Sequence, residues 1–311
     1  MLAFVFPGQG SQFVGMGRDL YERHAAAREV IDFVEERTRL PLKHLMWDGP
    51  ESDLTATQHA QVALFACGVA AWNAFRAGGG PDAACMAGHS LGEYTALVAA
   101  GALDLGPAAD LVALRGRSMA QAPEGTMAAV LGLDPQKLDE ICEATPGVVV
   151  VANYNSPDQL VISGEPQAVA KAGEAATRFG AKRVLPLNVS GAFHSPLMLP
   201  ALGALTDALN RSPWRDATVP VVHNVDARPN RRADQFADRL SRQLASGVRW
   251  TDCIGTMRDQ GVTTWVELGA GKTLTGLLRR IDRNLAGHVV DDAASLDKAL
   301  EALDSGAKAG V

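Results

Sequence analysis

Aromatic residues make up only 5% of this chain, and cysteine is rarer still: Cys67, Cys85, Cys142 and Cys253 are its four thiols, far apart and without a C-x-x-C pair. That spacing signals neither a disulfide framework nor a zinc site, so the four read as reduced thiols in or near the core. Surplus positive charge is also missing. At a formal net charge of -6 there is no excess of lysine and arginine to neutralise phosphates, which argues against a nucleic-acid partner. Long apolar runs are absent: "GVVVVA" is far too short to cross a bilayer, so no membrane partner is expected. The opening "MLAFVF" has no basic segment before it and no small-residue cleavage site after it. It reads as a first strand rather than a signal peptide, and the expected compartment is the cytoplasm.

What the chain does have is 47% hydrophobic content and 31 glycines in 311 residues, enough for a large core in an α/β protein whose glycines punctuate strand-to-helix turns. Leu2 to Phe6 form a buried-strand pattern ending in the glycine-rich loop "PGQGSQFVGMG". "ATQHAQVALFACGVAAWNAF" is apolar on most faces, as a helix packed near a sheet would be. "GGGPDAACMAGHS" reads as loop, short strand and tight turn, and "LGEYTALVAAGAL" as the helix that follows. From about Pro123 the order becomes β-α-β-β-α-β in a short span, the ferredoxin-like pattern. The expected organisation is a large domain of residues 1–122 and 190–311 with a smaller subdomain, 123–189, inserted. Farther on come a helix around Leu199 to Leu209, a strand "VPVVHNV", the helix "ADQFADRLSRQLAS", a helix from Trp250, the strand "TTWVELGA", the helix "TLTGLLRRI" and a tail expected to fray after Leu303.

Gly88-His89-Ser90-Leu91-Gly92 matches G-x-S-x-G. At such an elbow a strained serine exposes its hydroxyl, the flanking positions must be nearly free of side chains, and the Leu91 amide is placed to bind an oxyanion. The other reading is a strand-to-helix turn without chemistry. A serine nucleophile needs a base, and of the seven histidines His194 in "NVSGAFHSPLM" is the best placed, since it follows a strand and a glycine and opens the next helix; a structural histidine is the alternative. His24 and His44 lie among charged residues, and His89 is expected to pack behind the elbow. Arg115 falls on the apolar stripe of Ala108, Leu111 and Val112, so it needs an anionic partner, either an internal Asp or Glu or the carboxylate of a substrate. The loop "GQGSQFVG" lacks the lysine of a phosphate-binding loop, which leaves a second oxyanion donor, the Gln9 amide, as its other role.

Together "FVFPGQGSQFVGMG", "GHSLGEYTAL", "LVALRGRSM", "VSGAFHSPLM", "RQLASGVRW" and "ELGAGKTLTGL" resemble the malonyl-CoA:acyl carrier protein transacylase family, related to the acyltransferase domains of polyketide synthases. The likeness runs from Leu2 to about Ile281. It implies a hydrolase-like α/β core of mostly parallel sheet with the ferredoxin-like α+β subdomain inserted and a site in the cleft between them. It also implies Ser90 as nucleophile, His194 as base, the Gln9 and Leu91 amides as oxyanion hole and Arg115 as clamp for the malonyl carboxylate. The histidine would be oriented by the Gln243 backbone carbonyl rather than by an acid, and Phe193 and Met119 would set acyl selectivity. The implied substrates are malonyl-CoA and the phosphopantetheine of acyl carrier protein, feeding fatty acid or polyketide synthesis through a malonyl-serine intermediate, with no metal or cofactor and a monomeric chain. Related readings are a transacylase subunit of a malonate decarboxylase and a serine thioesterase or hydrolase. Lys182 with Arg183, and Arg279 with Arg280, are candidate patches for an acidic carrier. The chain departs from the family at Gly247, where a proline is common.

Overall fold

The computed structural model describes residues 1–189 and 191–309. Its strands are β1 (Leu2–Phe6), β2 (Cys85–Gly88), β3 (Thr126–Leu131), β4 (Val149–Ser156), β5 (Gln159–Gly164), β6 (Arg183–Pro186), β7 (Val221–Val222), β8 (Pro229–Asn230), β9 (Thr264–Leu268) and β10 (Ala286–Val290). They form two sheets, one ordered β10-β9-β1-β2-β7-β8 and the other β4-β5-β3-β6. The first is parallel except for the β7–β8 pair, and the second is antiparallel.

Both faces of the first sheet are covered, as parallel sheets require, and β1 shows how. Alternate side chains go to opposite cores: Phe4 and Phe6 into the one that holds the helix Thr57–Ala77, Ala3 and Val5 into one with Trp250 and Trp265. Phe4 meets Phe75 of that helix edge-on, ring centroids 5.3 Å apart. The helix is buried nearly all round, which is why its sequence shows so little amphipathic contrast.

The second sheet has its own core, with Leu138 and Ile141 from one helix and Ala172 and Ala176 from the other packed on Val130, Leu160 and Ile162. All of its strands lie within residues 126–186, and its order is that of a ferredoxin-like unit. Residue 190, where the large domain is expected to resume, lies outside the described residues. A seam joins the units: Asn153 pairs with Val248, the Val248 amide donates to the Ala152 carbonyl at 2.9 Å and the Tyr154 amide to the Val248 carbonyl at 2.9 Å.

Several elements differ from expectation. The segment before the helix Leu202–Arg211 is a 3-10 turn, Pro196–Ala201, broken from it by Pro200. The strand expected over "VPVVHNV" is only Val221–Val222, because His223 and Asn224 turn away to bond Glu93. The strand Ala286–Val290 and the helix Ala293–Ala309 were not expected. The tail beyond Leu303 continues that helix to Ala309, and Gly310 and Val311 lie outside the described residues. All four cysteines are buried and unpaired. No helix among the described residues is long and apolar enough to cross a membrane.

Candidate active site

Residues 88–92 turn sharply from β2 into the helix Gly92–Ala99. Ser90 sits in the left-handed region at φ 52°, a strained position for a residue with a side chain. The two glycines make the turn possible: a Cβ at Gly88 would lie 1.8 Å from the Gly92 carbonyl carbon, and one at Gly92 would lie 2.1 Å from the Phe6 carbonyl oxygen. Asn224 pins the elbow, its Oδ1 accepting from the Ser90 amide at 2.7 Å and its Nδ2 donating to the Gly88 carbonyl at 2.8 Å.

His194, also at positive φ (58°), brings Nε2 to 2.8 Å from Ser90 Oγ, and its Nδ1 lies 2.9 Å from the Gln243 carbonyl oxygen. Because a carbonyl can only accept, Nδ1 must carry the proton, which leaves the Nε2 lone pair facing the serine hydroxyl. Burial, followed by the positive charge of Arg115, pushes the imidazole pKa down to about 3. It is neutral at physiological pH and free to take a proton.

Arg115, 1% exposed, donates from Nη1 to Gln61 Oε1 at 2.7 Å and from Nη2 to Ser90 Oγ at 3.0 Å and Gln243 Oε1 at 3.1 Å. Its face lies over the Tyr94 ring, 5.6 Å from the centroid, and its Nε is buried without a partner. Among the described residues no carboxylate contacts it, so the internal salt bridge is not its explanation. A guanidinium held dry, under-paired and against the serine hydroxyl is chemically suited to pair with an anion.

A cleft of about 300 Å³ opens on Ser90 and His194, walled by the first loop and by the second sheet, with Arg115 behind the serine hydroxyl rather than in the lining. Gln9, Met119 and Phe193 line it. Neither the Gln9 nor the Leu91 amide finds an acceptor among the described residues, and Gln9 is tied to Thr57 through its side chain at 3.2 Å. His89 is a correction. It also lines the cleft, with Nε2 2.8 Å from Asn155 Oδ1 and its ring against Trp250 at 5.5 Å. Side chains on the elbow do diverge, yet the second sheet closes over it and meets His89 there. With Gly247 in place of proline, a Cβ would come within 2.9 Å of the Val151 carbonyl oxygen, so the loop after Gln243 lies close against β4.

Sequence reasoning missed Gln61, Glu93, Asn155, Asn224 and the side chain of Gln243. Two left a trace: Gln61 is a lone amide in "HAQVALFAC", and Glu93 a lone charge in the otherwise uncharged helix "GEYTALVA". No cluster of His, Cys, Asp or Glu suited to a metal ion occurs among the described residues.

The fold and the elbow together are those of the α/β-hydrolase-like enzymes that move acyl groups. A model of the acyl transferase domain matches residues 3–295. The chain is 42% identical over 309 residues to the malonyl CoA-acyl carrier protein transacylase of Bacillus subtilis (strain 168), covering 97% of each. It is 43% identical over 304 residues to that of Escherichia coli (strain K12), covering 96% of this chain and 98% of the relative. Among solved structures it resembles an acyl carrier protein S-malonyltransferase from Vibrio cholerae O1 biovar eltor, with TM-score 0.92, 44% identity and coverage of 96% and 99%. A type II PKS acyl-carrier protein in complex with its malonyl-transacylase gives TM-score 0.94 at 42% identity, covering 96% of this chain and 99% of that one. The chain belongs to the malonyl-CoA:acyl carrier protein transacylase family.

Proposed function

We infer that this enzyme transfers the malonyl group of malonyl-CoA to the phosphopantetheine thiol of acyl carrier protein, supplying fatty acid or polyketide synthesis. The observation that carries the substrate assignment is Arg115, buried without a carboxylate and 3.0 Å from Ser90 Oγ. A donor with a free carboxylate supplies the missing anion and is thereby oriented for attack.

In this reading Ser90 Oγ attacks the thioester carbon while its proton passes to His194 Nε2. The oxyanion is met by the Gln9 and Leu91 amides, the second reinforced by the helix that starts at Gly92. The carbon–sulfur bond breaks, the departing CoA sulfur takes the proton from His194, and a malonyl-serine ester remains. The carrier's thiol then gives its proton to His194 and attacks the ester carbon, and Ser90 recovers its proton as the product leaves. The malonyl carboxylate offsets the Arg115 charge that helps depress His194, so the right donor also strengthens the base that acts on it. Phe193 and Met119 line the cleft and serve in this reading as selectivity residues. The exposed Lys182 and Arg183, beside and on β6, serve as the landing for an acidic carrier. The scheme uses one chain, no metal and no cofactor.

Intact-mass measurement tests it. Malonyl-CoA should add one malonyl group to the native chain, acetyl-CoA should label it far more slowly, and Ser90→Ala should stay unlabelled. An unlabelled native chain, or a labelled Ser90→Ala variant, overturns the reading. Rapid loss of the label in buffer without a thiol acceptor would make the enzyme a hydrolase.

A further inference from the structure

Glu93 is fully buried three residues after Ser90 and does not touch the imidazole base. Its Oε1 accepts from His223 Nδ1 at 2.5 Å. Its Oε2 accepts from the Asn224 amide at 3.0 Å and from Gln243 Nε2 at 2.9 Å. The same Nε2 donates to the Ser90 carbonyl at 2.9 Å, while Gln243 Oε1 accepts from Arg115 Nη2 at 3.1 Å.

The order of these bonds has only one solution. A carboxylate can only accept and a guanidinium can only donate, so an amide strung between them must turn its NH2 to Glu93 and its oxygen to Arg115. Gln243 is thus oriented by its two charged neighbours, and Arg115 is held by a chain that ends in a negative charge it never meets directly. Buried polar chains of this kind are worth most when every member is satisfied.

We propose that Glu93 is a positioning residue for donor selection: through the Gln243 amide it fixes Arg115 Nη2 at the Ser90 hydroxyl, and so sets the preference for a carboxylate-bearing acyl group. The proposal rests on Arg115 being the carboxylate clamp. Glu93→Gln keeps size and shape but breaks the parity. With its oxygen still accepting from His223, the new amide turns its NH2 toward Asn224 N–H and Gln243 Nε2. Gln243 relieves the clash by flipping, which presents an NH2 to the guanidinium, unless the new amide turns its NH2 to a His223 that moves its ring proton to the unpartnered Nε2. Either way the negative charge at the end of the chain is lost.

The test is a cycle of native enzyme, Glu93→Gln, Arg115→Ala and the double variant. For each, kcat/KM for Ser90 acylation is read by quenched-flow mass spectrometry with malonyl-CoA and with acetyl-CoA. Glu93→Gln is expected to lower the malonyl-to-acetyl ratio by about tenfold or more, the scale of one lost charge-assisted hydrogen bond. In the Arg115→Ala background it should leave the ratio unchanged. Equal loss for both donors, or an equal fall in ratio with Arg115 absent, assigns Glu93 to fold maintenance alone and overturns the proposal. A ratio untouched by Arg115→Ala itself refutes the clamp, a failure distinct from an intact clamp indifferent to Glu93. Should Glu93→Gln not fold, Gln243→Leu decides. It cuts the same link while leaving Glu93 bonded to His223 and Asn224, and it should lower the ratio by a similar factor; an unchanged ratio overturns the proposal.

Discussion

On the proposed reading, Arg115→Ala separates recognition of the malonyl carboxylate from the chemistry at Ser90. The native guanidinium is 1% exposed and held in place through its Nη groups by Gln61, Ser90 and Gln243, so a bound carboxylate meets a fixed, dry partner. Truncating one side of such a buried, hydrogen-bonded charge pair costs about 2–5 kcal/mol, which is roughly a 30- to 5,000-fold loss in malonyl kcat/KM at about 1.4 kcal/mol per tenfold. Acetyl-CoA has no carboxylate to lose. Removing the positive charge also lifts one of the causes that depress His194, so acetyl transfer should hold or rise. Stopped single-turnover acylation, followed by mass with malonyl-, methylmalonyl- and acetyl-CoA, gives the three rates on one protein, and thermal melting checks that the freed amides of Gln61 and Gln243 have not unfolded the site. Equal falls for malonyl and acetyl donors would refute the clamp.

Four further outcomes are expected. Because the His194 pKa is pushed down to about 3, kcat/KM for acylation should hold from neutrality to about pH 5, where an imidazole at its ordinary ~6.5 would have lost about 30-fold; a limb near pH 6.5 would contradict the burial argument. The same depression makes stability fall as pH drops below ~6.5, since the unfolded imidazole takes a proton the folded one refuses. At about pH 5 that amounts to about 2 kcal/mol, and acid-titrated urea unfolding of His194→Leu should show the slope flattened. Gly92→Ala should destabilise by about 3 kcal/mol or more in denaturant unfolding, because its Cβ has backbone 2.1 Å away. Gly276→Ala, with nothing within 4 Å on a helix, should be neutral or stabilising, and similar costs at both sites would discredit the elbow sterics. Phe193→Ala, opening the cleft wall beside His194, should raise the methylmalonyl-to-malonyl acylation ratio by about tenfold; an unmoved ratio removes Phe193 from selection.

The parts of the molecule legible in sequence are those written in local signals. The β1 run, the glycines around Ser90 and the alternation from Pro123 onward each encode an element within a dozen or so residues. Arg115 stood out for the same reason, a charge on an apolar helical stripe. Residues missed at the site are joined across the chain: Glu93 meets Asn224 and Gln243 at separations of 131 and 150 residues, and Arg115 meets Gln61 at 54. Nothing nearby in sequence announces such a pairing. β10 escaped because its five residues include a glycine and a histidine, and it becomes a strand only where β9 offers a parallel edge. His89 was misplaced because local turn geometry says where a side chain leaves the backbone, while a distant sheet decides what it meets.

The stitch of Val248 to the second sheet follows within five residues of the carbonyl that steadies His194. A lobe anchored that close to the imidazole is ill suited to work as a jaw, since each degree of opening would drag on the histidine's tether. Admission is then a matter of threading: the slender arms of coenzyme and carrier slide in by turns, and the width of the slot is set by the side chains at its lip. Engineering wider donor tolerance in this scaffold therefore calls for trimming those side chains, with the strand pairing at the seam left intact.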